Sequence, residues 1–278
     1  MSLYEIVEKT CLAPRVYQWF VQAPAIADKH RPGQFVIIQT TENSERIPLT
    51  IVESRKEQGL IRIIFQKVGK STSDMAALQP GDSLFAVAGP LGTPTHLDMF
   101  GSVVCIGGGI GAAPLLPIAR GLKERGNQIT GILGARSKEL LILEPEMREL
   151  SKKLYITTDD GSAGEKGFVT DVLKQIIESG QHIDQVVTIG PPVMMKMTAE
   201  TTRAHAISTV ASLNTIMVDG TGMCGGCRIH VNDETKFVCV DGPEFDAHQV
   251  DWDEMLKRQN IYRDHECRLF RNQTDETL

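Results

Sequence analysis

The sequence predicts a multi-domain protein: an antiparallel β-barrel first, an α/β doubly wound domain next, and a small cysteine-bearing domain last. Three observations carry that expectation. Short alternating runs broken by turn residues fill positions 4–88, and apolar runs alternate with helical stretches from 102 to about 210. Three of the six cysteines then crowd into 224–239, in a glycine-rich loop that no packed core would choose. The expected domain boundaries are 1–98, 99–214 and 215–278.

A chain of 278 residues is long enough for two or more cores. Its 41% hydrophobic and 23% charged content is that of an ordinary globular protein. No apolar run approaches the ~20 residues of a membrane span. The first residues form a polar alternating stretch without the basic-then-apolar order of a signal peptide, so a cytoplasmic protein is expected. The net charge of −6 and the lack of a basic tract argue against a nucleic-acid partner. Cys11 and Cys105 lie alone in apolar runs and read as small buried residues. Clustered cysteines in such a context suggest a metal rather than a disulfide framework.

In the first domain, strands are expected at 4–8, 16–21, 35–39, 47–52, 60–65 and 84–87. Turns fall at Pro24, Arg31-Pro32-Gly33, Gln58-Gly59 and Pro80-Gly81-Asp82. With one short helix at 74–78, this pattern suggests a small antiparallel barrel. Arg46, Pro48, Leu49 and Thr50 place a cation, a rigid bend and a hydroxyl at a strand edge. The segment Gly69-Lys70-Ser71-Thr72-Ser73 precedes the short helix, where backbone N–H groups and a positive helix end suit a phosphate. It is not a P-loop, because Ile64 stands where the first glycine of that motif belongs. A surface ion pair for Arg46 and an ordinary strand role for Thr50 remain open on these residues alone.

After Gly101 the period changes. An apolar run at 102–106 leads into Gly107, Gly108, Gly109, Ile110, Gly111, Ala112, Ala113 and Pro114, then a helix to about 125. Strand, glycine turn and helix in that order are the context of a dinucleotide site, in which glycines let the backbone approach phosphate. Strands at 128–133, 154–157 and 186–189 alternate with helices at 143–150, 169–178 and 193–204, with a last short run near 207–210. That alternation predicts a parallel, doubly wound sheet. Gly134-Ala135-Arg136, Asp159-Asp160 and Gly190-Pro191 fall at the C-terminal ends of strands, where such sheets bind ligands. Asp159 and Asp160 would repel a 2′-phosphate and favour NADH, while Arg136 pulls toward NADPH unless it contacts the pyrophosphate or caps a helix; the balance leans to NADH.

Asp219, Cys224, Cys227 and Cys239 form the pattern D-x4-C-x2-C-x11-C. Plant-type two-iron ferredoxins use C-x4-C-x2-C with a distant fourth cysteine, so an aspartate stands where the first cysteine belongs. Thiolates suit zinc as well as iron. The spacing, together with the upstream signals, favours a two-iron cluster, and structural zinc stays the alternative. His230 lies on the strand 228–231 and reads as a surface residue, while Cys267 is a possible substitute ligand. No histidine pair suits a Rieske centre.

The order of these motifs resembles the ferredoxin reductase superfamily. The resemblance implies a barrel that binds FAD, with Arg46 on flavin phosphate and Thr50 at the N5 edge as the catalytic residue, flanked by Pro48 and Leu49. It implies that Gly69, Lys70, Ser71 and Thr72 hold the pyrophosphate, and that Gly89-Pro90-Leu91-Gly92 is the link leaving the barrel. Gly108, Gly109, Gly111, Ala112, Arg136, Asp159, Asp160, Gly190 and Pro191 would bind NAD(H) or NADP(H). Over its whole length the chain resembles electron-transfer subunits of two-subunit dihydroorotate dehydrogenases. It is also similar to the small subunits of bifurcating NADH-dependent reduced ferredoxin:NADP+ oxidoreductases, which carry one aspartate and three cysteines. The latter resemblance is preferred. It implies a [2Fe-2S] cluster on Asp219, Cys224, Cys227 and Cys239, and a larger flavin and iron–sulfur subunit through which ferredoxin is reached. A non-redox module binding zinc and a nucleotide is the alternative of another class.

Overall fold

The computed structural model describes residues 3–261. Strands β1 (Ile6–Ala13), β2 (Val16–Gln22), β3 (Phe35–Gln39), β4 (Arg46–Arg55), β5 (Leu60–Gln66) and β6 (Ala86–Leu91) form one antiparallel sheet in the order β1-β2-β5-β4-β3-β6. The sheet closes on itself where Ile6 N donates to Asp82 O at 2.8 Å and Leu84 N to Tyr4 O at 3.0 Å. Closure removes the free edges that an open sheet exposes. Alternate residues point inward, and Trp19 meets Phe65 edge-on, with 4.7 Å between ring centroids.

Helices α1 (Pro24–Lys29) and α2 (Lys70–Ala77) cap the barrel. The sequence marks Pro24 as a turn. It instead occupies the first helical turn, where its missing N–H costs nothing. Helix α2 begins at Lys70 rather than near Asp74, because the Thr72 hydroxyl accepts the N–H groups of Val68 and Gly69 at 2.9 and 3.0 Å and starts the helix early. Gly89 to Leu91 belong to β6 and are not a link beyond the barrel. A Cβ on Gly89 would stand 2.7 Å from Val36 Cγ1, so the bare backbone lets this strand close against β3. Cys11, expected to be buried, is exposed at an irregularity in the β1–β2 register, where its thiol donates to Ala13 O at 3.2 Å; Cys105 is buried as expected.

The next domain carries β7 (Ser102–Gly108), α3 (Ala112–Glu124), β8 (Gln128–Ala135), α4 (Glu144–Leu150), β9 (Lys153–Thr158), β10 (Glu165–Lys166), α5 (Val169–Glu178), β11 (Gln185–Ile189), α6 (Pro192–Arg203) and β12 (Ser208–Ser212). Their strands are parallel, in the order β10-β9-β8-β7-β11-β12. The order reverses between β7 and β11, and this switch opens a crevice at the C-terminal strand ends.

The remaining elements are β13 (Arg228–Val231), β14 (Glu234–Phe237), β15 (Glu244–Asp246) and α7 (Trp252–Gln259). β13 and β14 form a hairpin. β15 departs from the expectation of a wholly parallel sheet, since it joins the edge beside β12 in antiparallel sense. Helix α7 is the last element among the described residues, and Cys267, the possible substitute ligand, lies outside them.

Cores continue across the three parts. Ala13, Val16, Val52 and Ile64 of the barrel share one core with Leu115, Leu116 and Ala119 of α3. Phe35 and Ile37 share another with Met195, Ala211, Ile229 and Val238. Apolar burial of this kind fixes the relative positions of the parts. Among the described residues no helix is long and apolar enough to cross a membrane.

Candidate functional site

The loop between β12 and β13 is shaped by glycine. Gly220, Gly222 and Gly225 hold φ values of +76°, +87° and +67°, a region that L side chains rarely adopt. A Cβ on Gly220 would stand 2.8 Å from Leu91 Cδ1 and 2.9 Å from Ile37 Cγ1, so the loop lies directly on barrel strands β6 and β3.

This path brings the four expected donors together as two pairs. Asp219 Oδ1 lies 3.3 Å from Cys224 Sγ, and Asp219 Oδ2 accepts the Cys224 N–H at 3.0 Å. Cys227 Sγ lies 3.2 Å from Cys239 Sγ, and both residues are buried. Among the described residues no three His, Cys, Asp or Glu side chains gather around a single ion position. Three thiols and a carboxylate in two adjacent pairs suit two irons with two protein ligands each. His230 is engaged elsewhere: it contacts Glu254 through Nδ1 and Thr235 Oγ1 through Nε2 at 3.1 Å.

Electrostatics separate the two pairs. Hydrogen bonding from the Thr221 N–H, with further bonds from Cys224, holds the Asp219 carboxyl down at about 2. It is therefore an anionic oxygen donor at neutral pH. Burial, then the neighbouring Cys227 thiol, pushes Cys239 up to about 12. A metal must displace that proton to bind there.

On the barrel, Arg46, Pro48, Leu49 and Thr50 lie along the first half of β4 and pair with Gln39, Ile37, Val36 and Phe35 of β3. Arg46 is exposed, and its Nη2 reaches across to Asp219 O at 3.4 Å. The flavin-strand candidate and the cluster-loop candidate are thus neighbours. At α2, Lys70 is drawn to Asp74 at 2.7 Å, and the Ser71 hydroxyl donates to the Glu45 carboxylate. Thr72 caps its own helix. The side chains of 70–72 thus have protein partners, whereas first-turn N–H groups have none within a helix. Gly69 faces open space: nothing lies within 4 Å of a Cβ built there. An open helix end and a half-exposed strand fit an extended diphosphate with a ring system.

The crevice at the β7–β11 switch is built from close backbone approach. A Cβ on Gly111 would stand 2.3 Å from Ile189 O, and one on Gly190 would stand 3.1 Å from Gly108 Cα. Gly108 and Gly111 therefore face Gly190 and Pro191 across the strand ends, and Ala112 opens α3 just after them. Gly109, at φ +55°, has open space where a Cβ would be. Farther along, Asp159 N donates to Ala135 O at 3.1 Å and Asp160 N to Arg136 O at 3.2 Å, which places Arg136 beside both aspartates. Hydrogen bonds from the Ser162 hydroxyl and N–H lower the Asp160 pKa, so it stays ionised.

The structure adds residues that the sequence did not single out. Arg228 Nη1 donates to Gly225 O and Arg258 Nη2 to Gly226 O, each at 3.2 Å. No motif announces either arginine; Arg258 is one of several charges on a short helix. Glu244 sits with its carboxyl beneath Thr95, 149 residues away in the chain.

Comparison with known proteins agrees with this construction. Residues 214–251 match the model of the iron-sulfur cluster binding domain of dihydroorotate dehydrogenase B, and residues 105–200 match the oxidoreductase NAD-binding domain. A Thermotoga maritima protein named as a homolog of the dihydroorotate dehydrogenase B (NAD(+)) electron transfer subunit is 46% identical over 95% of this chain and 93% of its own. The subunit of that name from Geobacillus thermodenitrificans is 36% identical over 88% of this chain and 96% of its own. A solved structure of NADH-dependent reduced ferredoxin-NADP oxidoreductase, described in terms of flavin-based electron bifurcation, superposes with a TM-score of 0.93. It is 44% identical and covers 99% of this chain and 98% of that one. An Amycolatopsis cytochrome P450 reductase, at 22% identity and a TM-score of 0.62 over 73% of this chain and 66% of that one, shares the fold. With a ferredoxin reductase-like barrel and nucleotide sheet followed by an iron–sulfur loop, the chain belongs to the family of dihydroorotate dehydrogenase B electron transfer subunits.

Proposed function

We propose that this chain is the electron-transfer subunit of a flavin-based bifurcating NADH/NADPH/ferredoxin oxidoreductase, moving electrons between NAD(H), FAD and a [2Fe-2S] cluster. One observation carries the reading: a loop with two metal-donor pairs lies on barrel strands β6 and β3, the latter paired with the β4 strand of flavin candidates, and is joined to β4 by the Arg46–Asp219 contact. The likeness to the bifurcating oxidoreductase structure supports it. FAD, held by these residues, would supply two-electron chemistry toward a nicotinamide and one-electron chemistry toward a cluster.

The chain's own residues position these groups. Thr50 presents its hydroxyl at the flavin edge, with Pro48 and Leu49 shaping the strand, and Arg46 balances phosphate charge. The helix end at Gly69, Lys70, Ser71 and Thr72 receives the pyrophosphate through the backbone N–H groups of its first turn. Gly108, Gly109, Gly111, Ala112, Gly190 and Pro191 let the nicotinamide nucleotide approach the backbone. Asp159 and Asp160 select a free ribose hydroxyl over a 2′-phosphate, which favours NADH, while Arg136 meets the pyrophosphate. Asp219 and Cys224 hold one iron, and Cys227 and Cys239 the other. Residues 1–98, 99–214 and 215–278 form the three functional units. A larger flavin and iron–sulfur subunit completes the enzyme in the cytoplasm and delivers electrons to ferredoxin.

The test is purification with any bound partner. Brown-orange protein with flavin, iron and acid-labile sulfide, and a co-purifying subunit that couples NADPH oxidation to reduction of ferredoxin and NAD+, is expected. Colourless protein containing zinc would overturn the redox reading. A partner that instead oxidises dihydroorotate would establish the second reading, which the names of the relatives favour.

A further inference from the structure

The turn between Cys224 and Cys227 carries two carbonyls, and each receives a guanidinium. Arg228 Nη1 donates to Gly225 O at 3.2 Å and Arg258 Nη2 to Gly226 O at 3.2 Å. With Arg46 on Asp219 O, cations from β4, β13 and α7 converge on one loop. Arg228 and Arg258 also line, with Cys224 and Gly226, a cavity of about 440 Å³.

Arg258 is held in place by its helix. Asp251 caps α7 by accepting the Glu254 N–H at 2.9 Å, and Trp252 Nε1 donates to Ala247 O at 2.9 Å. Trp252 and Met255 are buried. Asp253 pairs with Lys196 of α6 at 2.7 Å, and Glu254 contacts His230 of β13. These contacts engage both carboxylates of the first turn of α7. Among the described residues, neither Arg228 nor Arg258 pairs with a carboxylate. Their charge is left for the loop.

Resting on the two-iron reading above, we propose that Arg228 and Arg258 are positioning residues that hold the Cys224–Cys227 turn by its carbonyls and raise the reduction potential of the cluster. Three thiolates and a carboxylate already concentrate negative charge there, and reduction adds one electron more. A guanidinium stays protonated at any working pH, so it favours the reduced and more negative state. Charge and hydrogen bonding around a cluster are the protein's levers on its potential. The part-buried position of the Arg258 contact limits screening by solvent.

The experiment is a redox titration, followed by visible absorption, of the full-length protein and its variants Arg228→Gln, Arg258→Gln, the double variant and Arg258→Lys. Iron and sulfide content is measured first. The glutamine variants are expected to titrate at lower potential than the parent, the double variant lowest, and Arg258→Lys near the parent because it keeps the charge. Unchanged potentials in both single glutamine variants, at full iron content, would overturn the proposal. Should Arg258→Gln fail to hold a cluster, Arg258→Lys decides. A retained cluster at the parental potential supports the electrostatic role, and loss of the cluster there too refutes it. A parent protein that carries zinc would sink the two-iron reading itself, an outcome visible from metal content before any titration.

Discussion

Glu244→Gln is expected to stabilise the protein above neutral pH and to leave its stability nearly unchanged in mild acid. Glu244 lies in β15, and its carboxyl accepts the Thr95 hydroxyl proton. Its Oε1 stands 2.9 Å from where a Cβ on Gly33 would be, so a barrel turn closes over the same group. Burial pushes this carboxyl up to about 7 from an ordinary value of 4.5, against the opposing Thr95 hydrogen bond. Between those values the native state holds a proton that the unfolded chain has lost. The stability this proton provides is complete below pH 4.5 and is lost as pH rises through 7. At 1.36 kcal/mol per unit the shift amounts to about 3 kcal/mol. The residue keeps some exposed surface, which lowers the expected gain at pH 8 to about 1–3 kcal/mol. Urea unfolding followed by circular dichroism at pH 5, 6.5 and 8 measures it, as the difference between variant and parent. That difference matters because His30 works in the opposite direction over an overlapping range. Parallel pH profiles for variant and parent would refute the reasoning.

Other substitutions probe the remaining parts. His30 is held neutral by burial, with its pKa near 4, so its contribution is present above pH 6.5 and is lost as pH falls through 4. His30→Gln should flatten that acid limb by about 2–3 kcal/mol, read by urea unfolding at pH 4 and 7. Gly111→Ala would press a methyl to 2.3 Å from Ile189 O. It should cost about 1–3 kcal/mol and weaken NADH binding, and an unchanged melting temperature would contradict the close approach. Gly220→Ala combines a φ of +76° with contacts to Leu91 and Ile37, so iron content should fall while circular dichroism stays native. Asp219→Cys should keep the cluster and shift its potential; an identical titration would argue against Asp219 as a ligand.

Much of this molecule is legible in local order. Alternation of period two gives the barrel strands, and the run from β7 through the glycine turn to α3 marks the crevice before any contact is known. Errors fall where a single residue recasts its surroundings. Pro24 opens a helix, Thr72 starts α2 early, and Gly89 lets β6 run on past the expected link.

By itself, the sequence determines the three-part architecture, the glycine-rich crevice and the spacing of Asp219, Cys224, Cys227 and Cys239, because each depends on spacing within one short segment. Tertiary structure alone decides how those parts meet. It sets Asp219 beside Cys224 and Cys227 beside Cys239, seats Gly220 on the barrel, and brings Arg46, Arg228 and Arg258 to one loop. Those contacts join residues up to 173 positions apart. They exist only because continuous apolar cores lock barrel, nucleotide sheet and cluster hairpin into place, and no local pattern encodes where such distant surfaces touch.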